Sequence, residues 1–231
     1  MPVLEVITSS GLGSLLGMRH AFEPDHLAAM STLVTHERSS YKAALLGMCW
    51  GIGHSVSLFV VGAGLVLLRA GMPPGVSDLF EFAVALMLIG LGARAIVRAA
   101  RRGEAGPPHS HRHSFLVHSH GGAPPHVHIG TWTFARRPLL IGALHGLAGS
   151  GALTALVLAT LPSTAARLAY MALFGLGSTL GMAALSGVLG WPLARLGGHH
   201  AIARGLSLVV GCLSTAVGLL WGYPLVVRLL S

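Results

Sequence analysis

The stretch LGMRHAFEPDHLAAMSTLV, residues 16–34, combines the apolar composition of a membrane helix with five ionisable side chains: Arg19, His20, Glu23, Asp25 and His26. It ends an apolar span of residues 4–34, and about 20 such residues are enough to cross a bilayer core. An ionisable group at that depth costs roughly 2.5–3.5 kcal/mol on insertion scales, so it generally faces a cavity or a partner. The stretch therefore predicts a membrane helix that carries a functional polar site.

The composition of the whole chain supports a membrane protein. Charged residues make up 10% of the 231 residues and apolar ones 53%, whereas soluble domains carry about 25% charged residues. The long apolar runs lack the ten-residue alternation of a barrel wall, so the predicted class is all-α. The net charge of +8 resides mostly in arginines beside the spans, which is a topology signal. We therefore expect the lipid bilayer as a partner and no nucleic acid.

Hydropathy and breaker residues predict six transmembrane helices, over residues 4–34, 42–70, 77–100, 137–161, 165–190 and 203–229. They group into a first three-helix unit (1–100), a His-rich segment (101–135) and a second three-helix unit (136–231). The middle segment is rich in His, Pro, Gly and Ser, which is typical of a linker or flexible loop. Most Lys and Arg residues follow helices one, three and five. The positive-inside bias therefore predicts a cytoplasmic-membrane protein whose termini are both outside and whose His-rich loop is cytoplasmic.

The two units resemble each other in sequence. Residues 16–34 align with IGALHGLAGSGALTALVLA (141–159), which sets His20 opposite His145. GMCWGIGHSVSL (47–58) aligns with YMALFGLGSTLGM (170–182), which sets His54 opposite Ser178. Because each unit has an odd number of helices, the second must enter the membrane from the opposite face. Such inverted repeats are typical of secondary transporters with a midplane site. Shared Gly and Ala composition is the alternative explanation.

Pro24 predicts a break within the first helix. A proline lacks the N–H that would bond the carbonyl four residues back, which here is the carbonyl of His20. His20, Asp25 and His26 do not share one face of a straight helix, but a break would bring them toward one point. Irregular backbone at this depth is tolerated where it is buried in protein or lines a cavity.

These residue types favour a divalent transition metal. Imidazoles with a carboxylate suit nickel, cobalt, zinc or copper(II), whereas magnesium and calcium prefer oxygen ligands. The predicted ligands are His20, Asp25, His26 and His54. Further ligands or supporting groups are Glu23, His145, Ser55 and Ser178, although both serines could equally be small packing residues. Arg19 cannot bind a cation, and we expect it to be a counter-charge to Glu23 or Asp25.

The His-rich loop adds a second group of potential metal ligands. Dense histidine tracts bind borderline metals weakly and adaptably. We expect the loop to gather metal in the cytoplasm through its seven histidines: His109, His111, His113, His118, His120, His126 and His128. A cytoplasmic metallochaperone and a second copy of the chain are both left open as partners.

The motif H-x4-D-H (HAFEPDH, 20–26), followed by GHS within GIGHSVS (51–57), resembles the nickel/cobalt transporter superfamily. HGLAGSGAL (145–153) is similar to its six-helix branch, the urease-accessory-type nickel permeases. The resemblance implies a heavy-metal permease of the cytoplasmic membrane, in which His20, Asp25, His26 and His54 are required for nickel or cobalt passage. Glu23 falls where many members have a second acidic residue. Larger members have acidic residues where this chain has residues 147–150.

The predicted function is secondary uptake of Ni²⁺ or Co²⁺, with the ion as transported substrate rather than fixed cofactor. The sequence has no GxxxxGK[ST] motif for ATP. An efflux permease of the same fold is the main alternative, since a His-rich loop also resembles the efflux branch. A membrane metalloenzyme is a further alternative, because the same ligands could activate water. A thiol oxidoreductase would need a facing cysteine pair, and Cys49 and Cys212 do not occupy such positions.

Overall fold

The computed structural model describes residues 3–35, 37, 39–101, 110–113, 116–119, 126–129, 132–196 and 200–230. Within them the chain forms seven helices: α1 (Val3–His20), α2 (Pro24–Val34), α3 (Ser40–Leu68), α4 (Pro74–Arg101), α5 (Arg136–Thr160), α6 (Thr164–Leu196) and α7 (His200–Leu230). By length and composition, five helices of this described part could cross a membrane: the whole of α3, α4 and α5, residues Thr164–Pro192 of α6 and residues Arg204–Arg228 of α7. The predicted all-helical membrane architecture is confirmed at this level.

The first predicted helix is divided in two, as Pro24 predicts. Helix α1 ends at His20, and Pro24 is the first residue of α2, where a helix does not need the missing N–H. The His20 carbonyl is nevertheless not left free, because the Glu23 backbone N–H donates to it at 3.1 Å. The Leu27 N–H then donates to the Glu23 carbonyl at 2.9 Å and starts the next helix. The break is thus a closed turn of three residues, Ala21 to Glu23.

The segment between α4 and α5 contains strands that the sequence analysis did not anticipate. Strands β1 (Ser110–His113) and β2 (Leu116–Ser119) pair antiparallel, with His111 opposite His118. Strands β3 (His126–Ile129) and β4 (Trp132–Ala135) form a second antiparallel pair. Valine, isoleucine and aromatic residues in β3 and β4 favour extended backbone. Of the seven predicted loop histidines, His109 and His120 lie outside the described residues.

Helix α3 occupies the centre of the bundle, where it packs against both α5 and α6. Helix α1 packs on α6, and α4 packs on α7. Gly13 and Gly17 meet Tyr170 and Phe174 in the same order, so α1 runs parallel to α6. The order of the glycine contacts also shows that α3 runs parallel to α5. In contrast, α3 is antiparallel to α6, and α4 is antiparallel to α7.

Four glycines bring these helices into backbone contact. A Cβ atom at any of them would collide with a carbonyl group on the neighbouring helix. Small residues allow such close approach in membranes, where lipid supplies no hydrophobic drive for helix association. The glycine and carbonyl pairs are Gly17 with Phe174, Gly177 with Ser14, Gly142 with Trp50, and Gly53 with Leu139.

Gly142→Ala tests this backbone packing. The added methyl group has to displace the Trp50 carbonyl, and overpacking of this kind typically costs about 1–3 kcal/mol. We expect a lower thermal midpoint and a smaller monodisperse fraction in detergent, both read by fluorescence-detected size exclusion. Gly90→Ala is the control, because a Cβ there meets nothing within 4 Å. Equal stability of the two variants would contradict the proposed contact.

Candidate functional site

Four helices converge on one cluster of imidazoles, which we call the histidine cluster: His20, His26, His54 and His145. His20 ends α1, His26 lies in the first turn of α2, and the other two project from the middle of α3 and α5. Ring centroids are 4.2 Å apart for His26 and His145, and 4.4 Å for His20 and His26. His54 lies 5.2 Å from His26 and 5.3 Å from His20. His26 is therefore the centre of the cluster.

Two carboxylates hold the rings of this cluster. Glu23 Oε1 lies 3.0 Å from His20 Nδ1. Asp25 spans two rings, with Oδ1 at 3.0 Å from His26 Nδ1 and Oδ2 at 2.5 Å from His145 Nε2. An ionised carboxylate only accepts hydrogen bonds, so the ring nitrogens facing these oxygens carry the protons. The carboxylates thereby select the tautomer of three of the four histidines.

The remaining ring nitrogens are buried and unpartnered. His54 is fully buried, His26 is 1% exposed, and His145 is 3% exposed. Among the described residues, no hydrogen-bond partner reaches His20 Nε2, His26 Nε2, either nitrogen of His54, or His145 Nδ1. Buried polar atoms in proteins nearly always have partners, so a group of such orphans needs a reason. Lone pairs reserved for a metal ion would supply one.

The ligand atoms form two overlapping groups of metal-binding size. One consists of His20, His26 and His54, and the other of Asp25, His26 and His145. Within each group the ligand atoms all lie within 4.8 Å of one another. The structure thus brings together all four predicted ligands, and it adds His145, which the sequence repeat had set opposite His20.

The cluster lines a cavity of about 380 Å³. The cavity extends between the start of α4 and the end of α7, where Glu81 and the exposed Arg228 line it. Arg228 Nη1 lies 3.3 Å from Asp78 Oδ1 and links the two helices there. Glu81 was not among the residues predicted for the site, although a carboxylate inside a predicted span was a signal that could have identified it.

Two aromatic residues flank the cluster. Trp50 is fully buried, and its ring lies 5.4 Å from that of His26 and 5.6 Å from that of His145. Phe174 lies 5.3 Å from the ring of His20. The two aromatic residues belong to separate apolar cores. Trp50 packs in one core with residues that include Met30 and Met182. Phe174 packs in the other core with residues that include Leu58 and Met171. Each core covers a different end of the histidine cluster.

Three other predicted residues have different contacts. Ser178 Oγ donates to the Gly17 carbonyl at 3.1 Å, and Ser55 Oγ donates to the Gly175 carbonyl at 2.7 Å. Both hydroxyls therefore join helices, which was the packing alternative for them. Arg19 is exposed, and the described ion pairs of Glu23 and Asp25 are with histidines instead. The counter-charge expected of Arg19 is thus corrected: neighbouring imidazoles take that place.

A multi-pass helical bundle with imidazoles and carboxylates around an internal cavity belongs to the class of membrane transporters for metal ions. Residues 6–217 match the family NicO, described as high-affinity nickel-transport protein. The chain belongs to this family. It is a multi-pass nickel permease and not an enzyme, as its sequence predicted.

The chain is also similar to individual proteins. The chain is 32% identical to the urease accessory protein UreH of Bacillus sp. (strain TB-90), over 97% of this chain and 95% of the relative. It is 29% and 26% identical to the Arabidopsis thaliana chloroplast proteins FOR GROWTH AND FERTILITY 1 and 2. Those alignments cover 80% of this chain and 50% and 48% of the two relatives. No solved structure matches the chain.

Proposed function

We propose that this permease takes up Ni²⁺ across the cytoplasmic membrane and binds the ion on its way at the histidine cluster. The observation that carries the proposal is the set of buried, unpartnered imidazole nitrogens lining one cavity. Imidazole is a borderline donor that suits nickel. Co²⁺ accepts the same ligands and is a second substrate in this proposal.

The ion first binds His20 Nε2, His26 Nε2 and one nitrogen of His54. Glu23 and Asp25 hold the first two rings from behind through their Nδ1 atoms. Carboxylates in this arrangement fix ring orientation and raise the basicity of the ligand. Three imidazoles leave other coordination positions to water, so the ion can exchange faster than in a closed cage of four protein ligands.

We further propose that α1 and α2 together form one membrane segment, giving six segments in two inverted repeats, residues 1–100 and 136–231. The glycine contacts support this reading. The alignment of residues 16–34 with 141–159 pairs His20 with His145 and also Gly17 with Gly142. The alignment of the two following helices pairs Trp50 with Phe174. Each glycine thus meets the carbonyl of an equivalent aromatic residue. The parallel pairs α1 with α6 and α3 with α5 are likewise equivalent.

In this proposal Trp50 seals one side of the ion path, and Phe174 packs beside His20 without lining the cavity. They are equivalent residues of the two repeats, and they contact opposite ends of the histidine cluster. Transporters built from inverted repeats expose a fixed site to each side in turn by moving one part against the other. The apolar core around Trp50 closes the side toward the start of α3.

The proposed orientation in the membrane supports uptake as the direction of transport. The excess of Arg and Lys after helices one, three and five supports a cytoplasmic His-rich segment and external termini in the cytoplasmic membrane. In that orientation the cavity between the start of α4 and the end of α7 faces outward. An outward-facing cavity with its binding site at the bottom suits uptake. The loop histidines would then gather the ion after release.

His54→Ala tests the binding site. At nickel concentrations below saturation, we expect the initial rate of ⁶³Ni uptake into proteoliposomes to fall at least about tenfold. The reason is that loss of a group that only orients a metal ligand already lowers metal affinity by about 10–100-fold. Ser55→Ala is the matched control, because the neighbouring hydroxyl contacts α6 rather than the cluster. Uptake by His54→Ala at the wild-type rate would remove the histidine cluster from the path.

Glu23→Gln tests the support of His20. The amide keeps the shape of the side chain but loses the charge that polarises the His20 ring. We therefore expect nickel affinity to fall about tenfold. This is the low end of the range of about 10–100-fold for groups that orient a ligand, because Glu23 is 50% exposed. Nickel titration of purified protein measures the change. Glu37→Gln, on the connection between α2 and α3, should bind as the wild type does. A drop of the same size in both variants would point to net charge rather than orientation.

Cellular accumulation tests direction. Expression in cells should raise cell-associated ⁶³Ni, and His54→Ala should return it to the background level. A C-terminal alkaline phosphatase fusion should be active, which checks that the C-terminus is outside. Lower accumulation together with nickel resistance would instead identify the efflux alternative.

A further inference from the structure

We infer that the cavity holds a second, deeper nickel position formed by Asp25, His26 and His145, to which the ion passes from His20, His26 and His54. The inference rests on the proposed permease function. It assigns His145 a direct contact with the ion, and it gives Asp25 two roles in succession, first as support for His26 and then as ligand.

The second position is better buried than the first. Its three side chains are 4%, 1% and 3% exposed, in the order Asp25, His26 and His145. The first position includes His20, whose side chain is 16% exposed and whose partner Glu23 is 50% exposed. His20 and Glu23 are thus the more accessible edge of the cluster, and the inferred path starts there.

The aromatic residues beside the cluster support the same order of the two nickel positions along the path. Phe174 lies against His20, whereas Trp50 lies against His26 and His145. Trp50 continues into an apolar core with Met30, Met182 and Leu185. The second position thus lies beside Trp50 and its apolar core, which in this proposal must move for release toward the start of α3.

His26 connects the two positions because its two nitrogens face different groups. Its Nδ1 lies 3.0 Å from Asp25, whereas its Nε2 has no partner among the described residues. A neutral imidazole has one nitrogen with a free lone pair, so it can bind the ion through Nε2 or Nδ1 but not through both. The two positions are therefore alternatives for a single ion.

Transfer requires no net release of protons. When Nδ1 of His26 binds the ion, its proton is carried by Nε2, which has left the first position. In the same way His145 binds through Nε2 and carries its proton on Nδ1, which is buried and unpartnered among the described residues. The Asp25 oxygens that accepted these hydrogen bonds become available to the ion. A carboxylate adds a negative charge that the first position lacks, which favours the inward step.

His145→Ala and His145→Cys together test the second position in the purified full-length protein, with Ni²⁺ alone as the probe. His145→Ala should still bind one nickel ion, because the first position keeps its three imidazoles, but with lower affinity than the wild type; at saturating nickel it should transport the ion at least about tenfold more slowly in proteoliposomes. His145→Cys restores a ligand at this place. It should recover part of the transport rate and develop a nickel–thiolate charge-transfer band in the near ultraviolet.

The controls separate this inference from the permease proposal. Ser150→Cys, further along α5 and outside the cluster, should give no band beyond the baseline of Cys49 and Cys212 in the parent protein. Wild-type transport by His145→Ala, complete loss of nickel binding in it, or the absence of the band in His145→Cys would each overturn the second position. The permease proposal depends instead on His54→Ala, and it stands if only the His145 results fail.

Discussion

The fold depends on the need to pair ionisable groups that are buried at membrane depth. A charge in hydrocarbon is costly unless it faces a partner, and Asp25, 3% exposed, meets that condition only by touching imidazoles on both sides. One of these is its neighbour His26, and the other comes from α5, far along the chain. Satisfying one carboxylate therefore requires α2 and α5 to meet. The glycine contacts that bring α3 against α5 allow the necessary approach.

Much of the site could be predicted from residues close together in sequence. Pro24 predicts the break, and the motif around it supplies His20, Asp25 and His26. The sequence similarity of the two units set His145 opposite His20, and both residues line the same cavity. Glu81, Trp50 and Phe174 could not be ranked in this way, since their importance comes from contacts between helices distant in sequence. The same limit applies to β1–β4, where short strands depend on pairing with each other.

The two units of the proposed repeat differ in sequence at the candidate site. In the alignment of residues 16–34 with 141–159, Pro24, Asp25 and His26 face Gly149, Ser150 and Gly151. Accordingly the first repeat has a broken helix, whereas α5 continues unbroken from Arg136 to Thr160. The second repeat keeps the packing glycines and one histidine. In the proposed permease a repeated scaffold would thus carry an asymmetric site, with ligands that the ion meets in a defined order.

The turn at Ala21 to Glu23 joins two helices that are anchored to different neighbours. Helix α1 is fixed to α6 through backbone contacts at Gly17 and Gly177, whereas α2 packs chiefly on α7, whose other main neighbour is α4. In the proposed permease this turn would act as a hinge that carries Asp25 and His26 away from His54 and His145. Ala21 is fully buried. Ala28, Ala29 and Met30 of α2 share one apolar core with Trp50 and Met182, so such a rotation would also open that core. Binding and release would then differ both in the torsion angles of the turn and in the packing of α2.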